Sequence, residues 1–235
     1  MSFRSYPLRV LMYHQISADG SADALTVPVQ EFTRQLHYLR QEGYTAILLS
    51  ELVSHIKKGT ALPVKPVLIS FDDGYRDNFT NAYPVLEQLR MKANIFLVPT
   101  FLNKASYLSI EDIRTMDPAL VEYGLHSYDH QSYKALNAEA VRNDLVQCAV
   151  SLDLQGIPFQ PCVAFPYGAY PRKGEAVREF LDVLAGERIA AAFRIGNRLN
   201  AFPLRNPLLI QRLDVRGNNN FSQFTRLVRK GKSWF

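Results

Sequence analysis

Short apolar runs recur along this chain, and between them the hydrophobic positions fall at helical spacing. Arg9–Tyr13 (RVLMY) reads as a buried strand, followed by a loop rich in Ser, Ala and Asp. Phe32, Leu36 and Leu39 then share one face of a predicted helix over 29–42, which Gly43 stops. The pattern predicts a strand over 45–49, a short helix capped by Ser50 and running to Ile56, and a loop at Pro63 and Pro66. VLISF at 67–71 is a continuous apolar run of the kind buried on both faces. A helix over 77–90 contains Pro84, which implies a kink or a later start. Strands are predicted at 94–98, 122–125, 162–165, Ala191–Ile195 and 208–213. Helices fill the gaps, one capped by Ser109, one by Asn137 and one starting near Arg172. Strands alternating with helices mean βα units and a parallel sheet. Seven or eight such units without a linker favour a closed α/β barrel, a (β/α) fold with a parallel sheet, formed by residues 1–235 as a single domain.

Composition narrows the class. A chain of 235 residues buries roughly 70–75% of its unfolded surface, so no metal or disulfide is needed to hold a core. Two cysteines, Cys148 and Cys162, are too few for a disulfide scaffold or a Cys-rich zinc site and read as packed thiols. The net charge of +5 is mild and dispersed, and no ordered set of basic and aromatic positions points to nucleic acid. A basic cluster, Arg226, Arg229, Lys230 and Lys232, interleaves with Phe221, Phe224, Leu227 and Val228. It reads first as a terminal amphipathic helix docked on the core, and second as a contact for a membrane surface. No apolar run reaches the ~18 residues of a membrane span. As it stands the sequence reads as cytoplasmic, and as extracytoplasmic if a leader has been removed. Oligomeric state is left open.

In such barrels chemistry sits where strands end, on the βα loops. The predicted strand ends carry His14, then Asp72 and Asp73, then His126 to His130, then Pro166, Tyr167 and Gly168. Two adjacent carboxylates after a buried strand call for a counter-charge, which a divalent cation supplies. Asp73 with His126 and His130 makes a two-His, one-carboxylate set, and the HxxxH spacing predicts both imidazoles on one side of a helical turn. The bland alternative is turn-forming aspartates and surface histidines. His37 and His55, on helices without polar company, read as ordinary surface residues.

The segments ISFDDGYRDN, LHSYDH and AFPYG resemble the first three motifs of the polysaccharide deacetylase family, the NodB-homology group of carbohydrate esterase family 4. That resemblance implies a distorted (β/α) barrel, often seven-stranded, and a hydrolase that removes acetyl groups from N-acetylated, less often O-acetylated, sugars. By motif position Asp72 resembles the catalytic base, and Asp73, His126 and His130 resemble the ligands of a metal, zinc above all, with cobalt or nickel as alternatives. Tyr167 resembles the residue whose backbone N–H stabilises the oxyanion. An acetylated glycan or its precursor is the expected partner.

Three positions depart from the pattern. Ala164 stands where the third motif commonly carries an Arg that orients the base, the single Trp is Trp234, and no late Leu-x-His acid is present. These departures are similar to a permuted branch acting on exopolysaccharide poly-N-acetylglucosamine, in which an early L-x-Y-H segment supplies the acid. LMYH matches it, so His14 is the expected acid, with a packed core histidine as the alternative. Two further function classes stay open: a metal-free hydrolase of cyclic amides on the same fold, and a non-catalytic glycan-binding relative.

Overall fold

The computed structural model describes residues 6–231. The chain begins with β1 (Arg9–Tyr13), β2 (Gln15–Ser17), β3 (Thr26–Pro28), α1 (Val29–Gln41), β4 (Thr45–Ala46), α2 (Leu49–Lys58) and β5 (Pro66–Phe71). It continues through α3 (Tyr83–Leu89), β6 (Ala93–Leu97), α4 (Ile110–Thr115), β7 (Val121–Leu125), α5 (Ala138–Leu154) and β8 (Cys162–Ala164). The last elements are α6 (Gly174–Gly186), β9 (Ala191–Ile195), β10 (Ile210–Asp214) and α7 (Phe221–Lys230). Going round, β1, β5, β6, β7, β8, β9 and β10 pair in parallel, and β10 returns to β1 to close a seven-stranded barrel. β2 and β3 form a small pair of their own.

Side chains alternate across each strand, so every second residue faces the barrel interior. Val10, Leu68, Phe96, Ala164, Phe193 and Ile210 fill that interior. The opposite faces, with Leu11, Tyr13, Ile69, Phe71, Ile95 and Leu97, pack with Phe32, Leu36 and Leu39 of α1 in the layer under the helices. The same period carries the inward faces up to the C-terminal mouth. Two and four residues beyond Val10 come Met12 and His14, beyond Leu68 come Ser70 and Asp72, and beyond Ile210 come Arg212 and Asp214. Both cysteines are free and buried, as packed thiols should be. The terminal helix α7 buries Phe224, Leu227 and Val228, while its Arg229 donates to Tyr38 Oη on α1. Docking on the core is therefore what its apolar face does. Lys232 and Trp234 lie outside the described residues.

Two predicted elements changed. The strand expected over 45–49 is cut to Thr45–Ala46, and α2 begins at Leu49. Ser50 is not its cap. The free N–H groups at that helix start are taken by one side chain of the helix and two from strands: Glu51 Oε2 accepts from Leu48, Asn94 Oδ1 from Leu49 and Glu122 Oε2 from Ser50, each at 2.8 Å. Asn94 also donates to Ile47 and Ile69 carbonyls, bridging the gap where β4 leaves β5 before β6 joins it. Downstream, the predicted 77–90 helix is split. Asn78–Ala82 form a π-helical turn, and Pro84 sits in the first turn of α3, where its missing N–H costs nothing.

Candidate active site

All six residues expected to have catalytic or metal-ligand roles line one cleft of roughly 450 Å³ at the C-terminal mouth: His14, Asp72, Asp73, His126, His130 and Tyr167. Asp72 follows β5 on the inward face and is 2% exposed. Asp73 adopts a left-handed backbone, φ 71°, which turns its carboxylate away from that of its neighbour. The two acids consequently meet different partners.

Asp72 is held by Arg212 of β10, whose Nη1 and Nη2 donate to Oδ1 and Oδ2 at 2.5 and 2.7 Å. This two-pronged pair is the strongest common geometry between a guanidinium and a carboxylate. His126 Nε2 and His14 Nε2 stand 3.8 and 4.0 Å from the same Oδ2. Burial pushes the Asp72 pKa up, but the charge of Arg212, then that of His126, outweighs it and leaves the carboxyl below its ordinary value.

Asp73 instead faces the histidines. Its Oδ1 lies 3.2 Å from His126 Nε2 and 3.1 Å from His130 Nε2, yet it is buried without a hydrogen-bond partner. Burial raises its pKa and the two adjacent imidazoles more than reverse that, so it stays ionised. The other ring nitrogens are occupied. His126 Nδ1 lies 2.8 Å from Ala164 O, a carbonyl that can only accept, so the proton sits on Nδ1. The Nε2 edge of His126 therefore faces the Asp73 carboxylate; burial lowers the imidazole pKa, but the charges of Asp72 and Asp73 outweigh burial and raise it. His130 Nδ1 meets Tyr167 Oη at 3.1 Å. One oxygen and two ring nitrogens, all within 4.8 Å of one another, thus converge on one point. That donor set fits a divalent cation, and the backing of each imidazole by a second contact is what metal-binding histidines show.

The histidine pair does not ride on a helical turn, as its spacing predicted. Residues 126–132 form a loop, bent by left-handed backbone at Ser127 (φ 65°) and His130 (φ 64°). Asp144 of α5 pins this loop: Oδ1 accepts from Ser127 Oγ and Tyr128 N, and Oδ2 from Tyr133 Oη. Four of the eight non-glycine residues with positive φ are Asp73, Ser127, His130 and Tyr167. Backbone strain of about 1–3 kcal/mol each is thereby concentrated at the cleft.

Tyr167 is also left-handed (φ 59°), with its side chain 68% exposed and its backbone N–H without an acceptor among the described residues. Gly168 makes that turn possible, since a Cβ there would lie 2.6 Å from the Ile195 side chain. His14 is not a packed core residue: it lines the cleft beside Asp72. Its pKa is lowered, by burial above all, with Asp72 and Asp73 opposing, so it titrates on the acid side of an ordinary imidazole. His37 is exposed on α1, and His55 Nδ1 meets Thr60 O at 2.8 Å; neither lines the cleft.

Sequence reading missed Arg212, Asp214 and Arg216. The signal was present. Arg212 is a charge inside the apolar run LLIQRL, and a charged residue on an inward strand position needs a partner. Asp214 ends β10 and Arg216 follows it, and they pair at 2.8 Å on the cleft wall. Arg212 answers the departure at Ala164: a guanidinium orients the acid from β10, two strands away from β8.

A family model described as polysaccharide deacetylase matches residues 59–185, which include Asp72, Asp73, His126, His130 and Tyr167 but neither His14 nor Arg212. Bacillus subtilis YxkH, named for the same family, is 30% identical over 163 residues, covering 69% of this chain and 57% of that protein. The poly-beta-1,6-N-acetyl-D-glucosamine N-deacetylase of Staphylococcus epidermidis is 25% identical over 158 residues, 61% of this chain and 54% of that protein. This chain thus spans a little over half the length of both relatives. Among solved structures, the Streptococcus pyogenes deacetylase PplD in complex with acetate superposes with a TM-score of 0.81 at 19% identity, covering 97% of this chain and 100% of that one. IcaB from Ammonifex degensii gives 0.78 at 22% identity, covering 94% and 95%.

Proposed function

The chain belongs to the polysaccharide deacetylase family, and on that premise we propose that it is a metal-dependent hydrolase removing acetyl groups from N-acetylhexosamine units of a glycan. The observation that carries this reading is the division of labour between adjacent acids: Asp73 converges with His126 and His130, while Asp72 is tethered separately by Arg212. Asp73, His126 and His130 would hold the cation, with zinc the first choice and cobalt or nickel compatible with the same donors. When bound, such an ion supplies Lewis acidity to water and to an acyl oxygen. Asp72 is the base that takes the proton of the attacking water, and Arg212 holds it ionised and aimed. The backbone N–H of Tyr167 donates to the acyl oxygen as negative charge develops there. His14 gives a proton to the amine nitrogen as the C–N bond breaks, so that water and amide become acetate and amine. A metal-free reading gives no role to the convergence of Asp73, His126 and His130 on one point.

Chelation should abolish acetate release from acetylated saccharides, and zinc, cobalt or nickel should restore it. Full turnover in protein shown by elemental analysis to be free of metal would refute the proposal.

His14→Ala should slow amide substrates far more than activated aryl acetates, whose leaving groups need no proton. An ordinary acid contributes about 10²–10⁴-fold, so the difference is readily measured. Because burial lowers the His14 pKa, the alkaline fall of kcat/KM in the native enzyme should lie below the ordinary imidazole value. Equal losses on both substrate types would make His14 a structural residue.

A further inference from the structure

Between Glu187 and Asp214 the chain carries five arginines, at 188, 194, 198, 205 and 212, and no acidic residue. Arg212 is spent on Asp72. Three of the others meet at a second cavity, away from the cleft. Most βα units of this barrel place a helix between consecutive strands, but β9 and β10 are joined by a loop whose only regular piece is a single 3₁₀ turn at Pro207–Leu209. Phe193 faces the barrel interior, so Arg194, the next residue on β9, faces outward under that loop. There Arg194, Arg198 and Arg205, with Asn200, Asn206 and Gln211, line a pocket of roughly 640 Å³ that contains no carboxylate. None of the three arginines is paired with an acid among the described residues. Arg194 Nε is buried and has no acceptor among the described residues. A buried guanidinium N–H without a partner is expensive, and three like charges lining one concave surface repel one another. An anion removes both penalties.

We infer that this pocket is a binding site for a phosphate-bearing ligand. A phosphate oxygen accepts from the Arg194 Nε–H, and its second charge is matched by the two exposed guanidiniums of Arg198 and Arg205. Guanidinium forks suit tetrahedral oxyanions better than point charges do. The volume exceeds that of a lone phosphate, so a phosphate ester fits as well as the free ion. The site lies on the outer face of β9, whereas Ile195, one residue on, lines the catalytic cleft.

The test titrates the metal-loaded enzyme with inorganic phosphate and, separately, with glycerol phosphate. Binding is followed by calorimetry and by the ¹Hε–¹⁵Nε resonance of Arg194. Saturable binding in the millimolar range or tighter is expected, with a downfield shift of that resonance. Arg194→Gln should weaken binding by about tenfold or more. The Arg198→Gln/Arg205→Gln double variant, whose changes are at exposed positions and spare the fold, should weaken it similarly. Acetate release should persist in both. Tighter binding of the ester identifies an organic phosphate as the natural class, and equal binding identifies the free ion. Absence of saturable binding overturns the inference. So does binding that survives both sets of arginine changes but disappears in Asp73→Asn, because the anion would then be sitting in the catalytic cleft.

Discussion

Asp72→Asn should retain its cation and lose acetate release by about 10²–10⁴-fold, whereas Asp73→Asn should lose the cation itself. The two residues are neighbours in sequence, so any account based on local charge alone would have both substitutions act alike. The structure separates them. Asp72 has both oxygens taken up by the Arg212 fork and is absent from the converging donor set. Asp73 contributes the single buried oxygen that faces His126 and His130. An amide at position 72 keeps the shape and one acceptor but cannot take a proton from water. At position 73 it removes the charge that offsets a dication. Metal stoichiometry by elemental analysis, set beside acetate release, reads the two losses independently. Equal loss of metal from both variants would mean that the base and ligand assignments are wrong. Asp72→Asn also leaves Arg212 without its counter-charge, so stoichiometry should be read well below the lowered Tm.

Arg212→Met should cost about 3–5 kcal/mol of stability, among the largest losses available to a single substitution here. Arg212 is fully buried, and removing it strands the Asp72 carboxylate in the barrel with burial opposed only by the neighbouring imidazoles. The consequence has a sign in pH. In the native protein the folded pKa of Asp72 is below its unfolded value. The ionised acid therefore adds stability above the ordinary carboxylate range, about 3.9, and that increment is lost as the pH falls through the depressed folded value. In Arg212→Met desolvation raises the pKa, so stability should instead decline as the pH rises through the shifted value. The acid limb of kcat/KM should move to higher pH by the same cause. Arg212→Lys keeps the charge without the fork and should fall between the two. Thermal melts across pH check the first effect, and the rate profile of the lysine variant checks the second even if the methionine variant fails to fold. An unchanged acid limb in Arg212→Lys together with native stability would show that the guanidinium fork does not tune the base.

The barrel was legible because its signals are local. A run such as VLISF, with five apolar or small residues and no turn former, has few alternatives to a buried parallel strand, and β5 is buried along its whole length. Asp72, Asp73, His126, His130, Tyr167 and His14 could be found because each lies on the segment that follows a strand, and a parallel barrel puts all strand ends of one polarity on one rim. Family resemblance added roles to positions already conspicuous.

What stayed hidden in the sequence depends on partners far along the chain. The start of α2 is set by Asn94 and Glu122, 45 and 72 residues from the N–H groups they receive, so no reading of residues 45–56 alone would have shortened the strand. Arg212 reaches Asp72 across 140 residues because the two face each other inside a closed barrel. The pairing of β8 beside β7 places the Ala164 carbonyl where it sets a proton on His126 Nδ1. The spacing of the two histidines placed them near each other, but left-handed backbone at Ser127 and His130, pinned by Asp144, decided where their nitrogens point. Strand and helix identity follow from the periodicity of neighbours. Carboxylate direction, tautomer and charge balance follow from which side chains the folded barrel brings face to face.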